Sequence, residues 1–389
     1  MTSNPPNPEN HAAWIPSKTS HPLQVQPAPF PTVDNLQPNQ LIVQTRALAI
    51  NPVDWFIQKP GNPMFNYLPY PFILGSDVAG TVYSSSSPQF KAGDRVVSHA
   101  LGQDHRSKNP AEGAFQKFAV VRDKLAAKIP DSLEFKDAAV LPLGLTTAAT
   151  ALFLPRFLGL DFPEVEKERK GGGGQVVLVW GASTSVGSNA VQLARGAGYE
   201  VVATAGEKNW GYVKGKLGAS EVWDYKSETA VEDIVRWFAE GGKTCLGAVA
   251  VGDESVGKCL DVLGEVRGGK RNFVAQVSGS VSIEEVANVK GVLGLLGILG
   301  KMVWAGVRMA VKSRLEGVKY GFVWGTDLVD GKDDLCGKVW NEYLPAALAS
   351  GEYVAAPEAL VVGEGLEKVQ EGFEVCRRGV SAKKVVVTL

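Results

Sequence analysis

No cysteine precedes Cys245, and the four in the chain, Cys245, Cys259, Cys336 and Cys376, show no paired spacing. This argues against a disulfide framework and favours a reducing compartment, with a cytoplasmic location as the expectation. The first residues, Met1-Thr2-Ser3-Asn4-Pro5-Pro6-Asn7-Pro8, lack the apolar core of a secretory signal. Basic residues form no long run, and 40 of them nearly balance 41 acidic ones, so nucleic acid is not an expected partner. No G-x-S-x-G elbow is present, which disfavours a hydrolase of that type.

One apolar run stands apart. Val292 to Val311 is long enough to cross a bilayer, but Lys301 and Arg308 interrupt it and glycines recur throughout. The expectation is a buried or interface segment and no membrane span.

What is present suits a glycine-rich α/β protein: 389 residues, 45% hydrophobic, with 44 glycines. That length exceeds what one core usually serves, so two domains are expected. Between residues 23 and 130, short apolar stretches such as Leu41–Ile50, Phe72–Tyr83 and Gly113–Val121 are separated by proline and glycine turns, the pattern of a small β-barrel. Phe135 to Phe153 is alanine-rich and helical in character, and Glu164 to Gly174 reads as a charged surface connection. From Gln175 onward strand and helix patterns alternate, which predicts a doubly wound parallel sheet binding its ligand at the carboxyl ends of the strands.

The first of those ends carries the most chemistry. The strand Val176–Trp180 runs into Gly181-Ala182-Ser183-Thr184-Ser185-Val186-Gly187, and apolar residues then return at helical spacing. A helix N-terminus beside a small-residue loop stabilises an anion such as a pyrophosphate. Counting back from Gly187, the positions of G-x-G-x-x-G fall on Ala182, Thr184 and Gly187, so only the last glycine survives. Thr184 offers a hydroxyl in place of bare backbone, and Ser183 and Ser185 either bind phosphate or cap the helix. The competing reading is an ordinary strand-to-helix turn with serine caps. At the second strand's tip, Thr204-Ala205-Gly206 supplies no carboxylate, and Lys208 and Asn209 follow. An acid there would bind the ribose 2′-hydroxyl of NAD, so its absence beside a lysine points to NADPH. Glu207 is the opposing feature, and a solvated Lys208 is the bland alternative.

These stretches, with Ala49-Ile50-Asn51-Pro52-Val53-Asp54-Trp55, Leu74-Gly75-Ser76-Asp77-Val78-Ala79-Gly80, Gly93-Asp94-Arg95-Val96 and Leu141-Pro142-Leu143-Gly144-Leu145-Thr146-Thr147-Ala148-Ala149, resemble the medium-chain dehydrogenase/reductase superfamily. Within it the chain looks most like the zinc-independent fungal branch of quinone-reductase-like proteins and trans-acting enoyl reductases. The resemblance implies a GroES-like β domain over 23–140, completed by about 330–389, with a Rossmann NADP-binding domain over 141–329; residues 1–22 themselves read as an N-terminal tail that a small strand can join. It also implies that Asn51, Pro52, Val53 and Asp54 face the nicotinamide, Ser183 to Gly187 (with Val186) the pyrophosphate, Lys208, Asn209 and Tyr225 the adenosine end, and Val251 and Gly252 the nicotinamide ribose. Ser381 and Ala382 would return to the cofactor. Leu143, Gly144, Gln276, Val277, Ser278, Gly279 and Ser280 would line the substrate pocket, with Thr146 or Thr147 as donors.

The zinc-binding members hold metal with clustered Cys and His, whereas here Gly75-Ser76-Asp77 stands where Gly-His-Glu would be; no metal site is expected, and His99 and His105 lack a third ligand. Relatives commonly carry a lysine two residues after the aspartate of N-P-x-D, and Phe56 occupies that place. Tyr67, Lys59 or water would then substitute as donor. The resulting expectation is NADPH-dependent reduction of an enone, an enoyl thioester or a quinone, with a second copy of the chain or a polyketide synthase as protein partner. A non-catalytic NADPH-binding redox sensor or accessory partner of a synthase is the rival, kept alive by Phe56.

Overall fold

The computed structural model describes residues 8–18, 20–59, 65–163, 174–266, 272–279, 281–289 and 291–389. The chain divides into two compact units: Met1–Pro142 with Cys336–Ala349 and Glu358–Leu389, and Leu143–Leu335 with Ser350–Pro357. The connection expected over Glu164–Gly174 lies almost wholly outside the described residues.

The first unit opens with β1 (Asn10–Ile15), β2 (Gln24–Ala28), β3 (Gln40–Ala49), α1 (Pro52–Gln58), β4 (Phe72–Ile73), β5 (Asp77–Ser85), β6 (Arg95–His99), β7 (Phe118–Arg122) and β8 (Ala126–Lys128). The tail expected over residues 1–22 thus contains a strand. β1 pairs antiparallel with β2 and β4, and its Ala12, Ala13 and Ile15 are fully buried. The polar Asn10 hides this in the sequence. It is itself buried because its carboxamide donates to Gln116 Oε1 at 3.1 Å and accepts the Phe118 N–H at 3.0 Å.

The second unit is built from α2 (Pro142–Phe153), β9 (Gln175–Trp180), α3 (Ser185–Gly196), β10 (Glu200–Thr204), β11 (Glu221–Trp223), α4 (Ala230–Gly241), β12 (Thr244–Ala250), α5 (Ser255–Glu265), β13 (Phe273–Gln276), α6 (Gly291–Glu316) and β14 (Lys319–Phe322). Its strands form one parallel sheet in the order β11-β10-β9-β12-β13-β14. That is the dinucleotide-binding order, with the first strand at the centre. β9 reads Val-Val-Leu-Val-Trp without alternation because helices cover both faces of such a sheet, and all five of these residues are buried. On α4, Ala230, Ile234 and Phe238 recur every four residues and pack with Val202, Cys259 and Leu263.

The chain then supplies the first unit with β15 (Glu358–Glu364), α7 (Val369–Arg377) and β16 (Lys383–Thr388). β16 lies antiparallel to β3, Val386 opposite Ala49, giving the order β15-β16-β3-β5-β6-β8, with β7 also on β3. The expected return of the last strand to the β domain is observed.

α6 departs from expectation. Of the two expectations, a buried or an interface segment, burial does not hold: Leu293, Leu296, Val303, Trp304, Val307 and Leu315 are exposed. Among the described residues one strip attaches it: Ile298 is buried, Lys301 pairs with Glu285, Met309 approaches Gly257 of α5, and Lys312 pairs with Asp261 at 2.6 Å. Apolar residues fall on most sides of this helix, so periodicity does not choose a buried face, and a single stripe suffices to hold it. By length and composition Leu293–Glu316 is long and apolar enough for a bilayer span, an 18-residue window within it having mean hydropathy 1.4.

Candidate functional site

In the parallel-sheet unit the site begins where β9 ends. Gly181 takes φ 83°, and a Cβ there would lie 2.4 Å from the Val251 carbonyl oxygen. A Cβ on Gly187 would lie 2.3 Å from the Gly181 oxygen, so the helix packs directly on the turn. The tight turn therefore uses Gly181, one residue ahead of the position occupied by Ala182. The strand's abrupt end at a glycine was its signal in the sequence.

The three hydroxyls of the loop do different work. Thr184 caps α3, its Oγ1 accepting the Gly187 N–H at 3.0 Å and donating to the Gly181 carbonyl at 2.8 Å. Ser183 is half-buried and Val186 is buried. Ser185 Oγ is buried without a hydrogen-bond partner. An orphaned hydroxyl on the first turn of a 12-residue helix fits a phosphate oxygen, which would accept from it where the helix dipole favours negative charge. Gly144 is required beside it, since a Cβ there would meet Ser185 Oγ at 2.5 Å.

The tip of β10 continues into a short turn over Glu207–Asn209, in which Glu207 and Lys208 are exposed and Asn209 is half-buried. Tyr225 is 46% exposed, its ring 3.8 Å from where a Gly206 Cβ would stand. At the end of β12, Val251 closes on Gly181, and the Gly252 N–H donates to Ser278 Oγ at 2.8 Å. Gln276 Nε2 donates to the Ser278 carbonyl at 2.8 Å, Val277 is half-buried and Gly279 is exposed; Ser280 lies outside the described residues. Ser183 to Gly187, Gly206, Tyr225, Val251, Gly252 and Ser278 thus cluster at the carboxyl ends of adjacent strands, the crevice where such a sheet binds a dinucleotide.

Leu143, Gly144, Thr146 and Thr147 lie on the first turns of α2. Thr146 is fully buried, and Thr147 Oγ1 donates to the Leu143 carbonyl at 2.7 Å while facing Gly325 closely enough that a Cβ there would lie 2.4 Å away. The Thr147 proton is therefore held by its own helix.

The β-barrel unit holds a buried polar cluster. Asn51 precedes α1, with Pro52 exposed and Val53 half-buried. The Asn51 carboxamide donates to Asp77 Oδ2 at 2.9 Å and accepts from Lys384, whose Nζ is 3.0 Å from the same Asp77 oxygen. The Asn51 backbone N–H donates to Asp54 Oδ2 at 2.8 Å, and Gln103 Nε2 reaches Asp54 Oδ1 at 3.2 Å and Ser76 Oγ at 3.0 Å. Burial lifts the Asp54 carboxyl to about 7, with the Asn51 N–H pulling it down and the Asp77 charge adding to the rise. Burial likewise lowers His99 to about 4, against the charges of Asp77 and Asp104. Among the described residues no group of three or more His, Cys, Asp or Glu is gathered as a metal requires.

The expected donors fare differently here. Tyr67 OH donates to the Gln103 carbonyl at 3.0 Å, and burial with the nearby Asp104 charge raises it to about 12. Phe56 is buried against Trp55, and Lys59 lines a recess with His21, Trp55 and Phe373. Ser381 is exposed and Ala382, with φ 49°, is half-buried at the start of β16. Lys384 carried no motif. It follows Lys383 at the polar start of β16, and nothing in the sequence separates the buried lysine from its half-buried neighbour.

Residues 37–131 match the alcohol dehydrogenase GroES-like domain. The chain is 44% identical over 384 residues to the dehydrogenase pigH of Monascus ruber, covering 98% of this chain and 100% of that one. It is 35% identical to the trans-enoyl reductase himH of Aspergillus japonicus, covering 98% and 97%. Among solved structures, the CurK enoyl reductase superposes with TM-score 0.69 at 18% identity, covering 97% and 99%, and the quinone oxidoreductase of Pseudomonas syringae with 0.64 at 19%, covering 98% and 100%.

Proposed function

Because the chain belongs to the medium-chain dehydrogenase/reductase superfamily, as an oxidoreductase of the enoyl- and quinone-reductase kind, we propose that it uses NADPH to reduce an activated C=C bond or a quinone without zinc. The observation that carries the cofactor reading is the unpartnered Ser185 hydroxyl on the first turn of α3, beside the Gly181 turn. Ser185 with the N-terminus of α3 would hold the pyrophosphate, and Gly252 the nicotinamide ribose. Lys208, Asn209 and Tyr225 would meet the phosphorylated adenosine end, the exposed ammonium favouring a 2′-phosphate.

Bound NADPH supplies a hydride. The zinc-free reading follows from the donor set, since Ser76 and Asp77 replace His and Glu and the Asp77 carboxylate is already paired with Lys384. A conjugated alkene accepts hydride at its β-carbon while charge collects on oxygen, and hydrogen-bond donors suffice to stabilise that charge. Leu143, Gly144 and Gln276 to Gly279 would shape the substrate pocket.

Likeness to relatives named trans-enoyl reductases supports enoyl thioesters within the substrate range. One observation favours the rival reading of a cofactor-binding redox sensor: the hydroxyl protons of Tyr67 and Thr147 are held by carbonyl oxygens. A fluorescence titration with NADPH and NADH, followed by a panel of enones, enoyl thioesters and quinones, separates the two. Tight NADPH binding without consumption by any acceptor supports the sensor.

A further inference from the structure

We propose that Lys384 is a positioning residue for reduction: its ammonium closes a triangle with the Asp77 carboxylate and the Asn51 carboxamide and so fixes the segment Asn51–Asp54. The inference rests on the functional reading above, in which that segment faces the nicotinamide.

The triangle admits one arrangement. Lys384 Nζ donates to Asn51 Oδ1 and lies 3.0 Å from Asp77 Oδ2, while Asn51 Nδ2 donates to that same carboxylate oxygen at 2.9 Å. Turning the carboxamide over would set NH₂ against the ammonium and a carbonyl oxygen against the carboxylate. An ammonium has three donors and no acceptor, so it selects the observed orientation by chemistry as well as charge.

From Asn51 the order propagates into α1. The Asn51 N–H holds Asp54 Oδ2 at 2.8 Å, Gln103 Nε2 holds Asp54 Oδ1 at 3.2 Å, and Gln103 Oε1 accepts the Gly75 N–H at 3.2 Å. Residues from β16, α1, β5 and the loop after β6 are thereby locked together at the start of one short helix. Lys384 is 5% exposed, Asn51 1%, and Asp54 and Asp77 not at all. Burying an ammonium is costly, and an apolar residue of similar size often serves stability equally well. A lysine held there is therefore better explained by orientation than by stability.

The charged and titratable groups facing the cluster are Asp77 on β5, His99 on β6, Asp104 beyond it with its partner Arg106, and Cys376 on α7. The Lys384 charge opposes the rise of the Asp54 carboxyl caused by burial and by Asp77. Loss of Lys384 thus has a second signature besides misorientation: the Asp54 carboxyl titrates at higher pH.

The test compares Lys384→Met and Lys384→Arg with the wild type in full-length protein. Misplacement of a reacting partner by about 1 Å costs on the order of 100-fold. Lys384→Met should therefore lose kcat roughly 10- to 100-fold per folded molecule, with NADPH affinity changed far less. Its pH–kcat profile should move to higher pH, and Lys384→Arg should recover part of the loss. Wild-type kcat per folded molecule in Lys384→Met, or a loss that merely follows the folded fraction, overturns the proposal.

The Asn51 side-chain amide protons, followed by NMR in selectively labelled protein, give a readout independent of turnover. They should be protected from solvent exchange in the wild type and unprotected in Lys384→Met; equal protection in both overturns the positioning role. A wild type that consumes no NADPH with any acceptor refutes the functional reading, while the amide measurement still decides the role of Lys384 in fixing Asn51.

Discussion

Tyr353 donates its hydroxyl to Oδ1 of Asn189 at 2.5 Å, tying the segment Ser350–Pro357 to the helix that follows the glycine turn. The other end of the Asn189 carboxamide donates to the Ser185 carbonyl at 2.7 Å, so a residue far along the chain steadies the first turn of α3. Tyr353→Phe leaves a buried acceptor unpaired, which costs about 1–3 kcal/mol. Urea unfolding measures that cost, and NADPH affinity should weaken alongside it.

Thr184 and Ser185 should separate when each is replaced by alanine. Thr184→Ala removes a helix cap and should cost about 1 kcal/mol of stability. Ser185→Ala removes a hydroxyl that has no protein partner, so stability should hold. Its effect should fall on NADPH binding, about 1.5–3 kcal/mol for a hydrogen bond to a charged phosphate, or roughly 10-fold or more. Thermal unfolding and a fluorescence titration of both variants check the pair.

Two buried groups of the barrel unit give opposite pH dependences. Burial raises Asp54 to about 7 from 3.8, so its contribution to stability is fully present below the unfolded value and is lost as pH rises through about 7. Burial lowers His99 to about 4 from 6.5, so its contribution is present above the unfolded value and is lost as pH falls through about 4. The two slopes oppose each other between pH 4 and 6.5. His99→Asn removes one of them, and its unfolding free energy should fall more steeply than that of the wild type between pH 4.5 and 7 in urea titrations.

The exposed side of α6 makes a different kind of prediction. Leu296, Val303 and Trp304 are large apolar side chains left more than half exposed, and such groups on one helix favour association. Leu296→Glu with Val303→Lys should leave the unfolding free energy within about 0.5 kcal/mol. Light scattering should show monodispersity at higher concentration than for the wild type.

What the sequence revealed and what it hid divide along physical lines. The β9–α3 unit was legible because a β-branched run ending at a glycine, followed by helical spacing, has few other solutions. The parallel sheet followed from the repeated strand-helix order. The return of β16 to the barrel was legible from its distance along the chain to the parallel run. Hidden features depend on partners remote in sequence. Asn10 looks like a tail residue until Gln116 and Phe118 are beside it. Lys384 looks like a surface lysine until Asn51 and Asp77 are. The sequence favours the Thr184 hydroxyl as the one that replaces bare backbone at the phosphate, whereas the capping geometry spends it on Gly187 and leaves Ser185 unpartnered. Counting back from Gly187 puts the turn glycine at Ala182, one residue past Gly181, because the loop spacing between turn and helix is not the usual one.

Reduction by NADPH is the central claim, and the rate of NADPH consumption with an enone, an enoyl thioester and a quinone, run in parallel with NADH, tests it most directly. The expected result is turnover of at least one acceptor with NADPH and at least a 10-fold lower kcat/KM with NADH, with Lys208→Ala narrowing that gap. Equal rates with the two cofactors contradict the cofactor assignment, and no consumption of either by any acceptor contradicts the reductase itself.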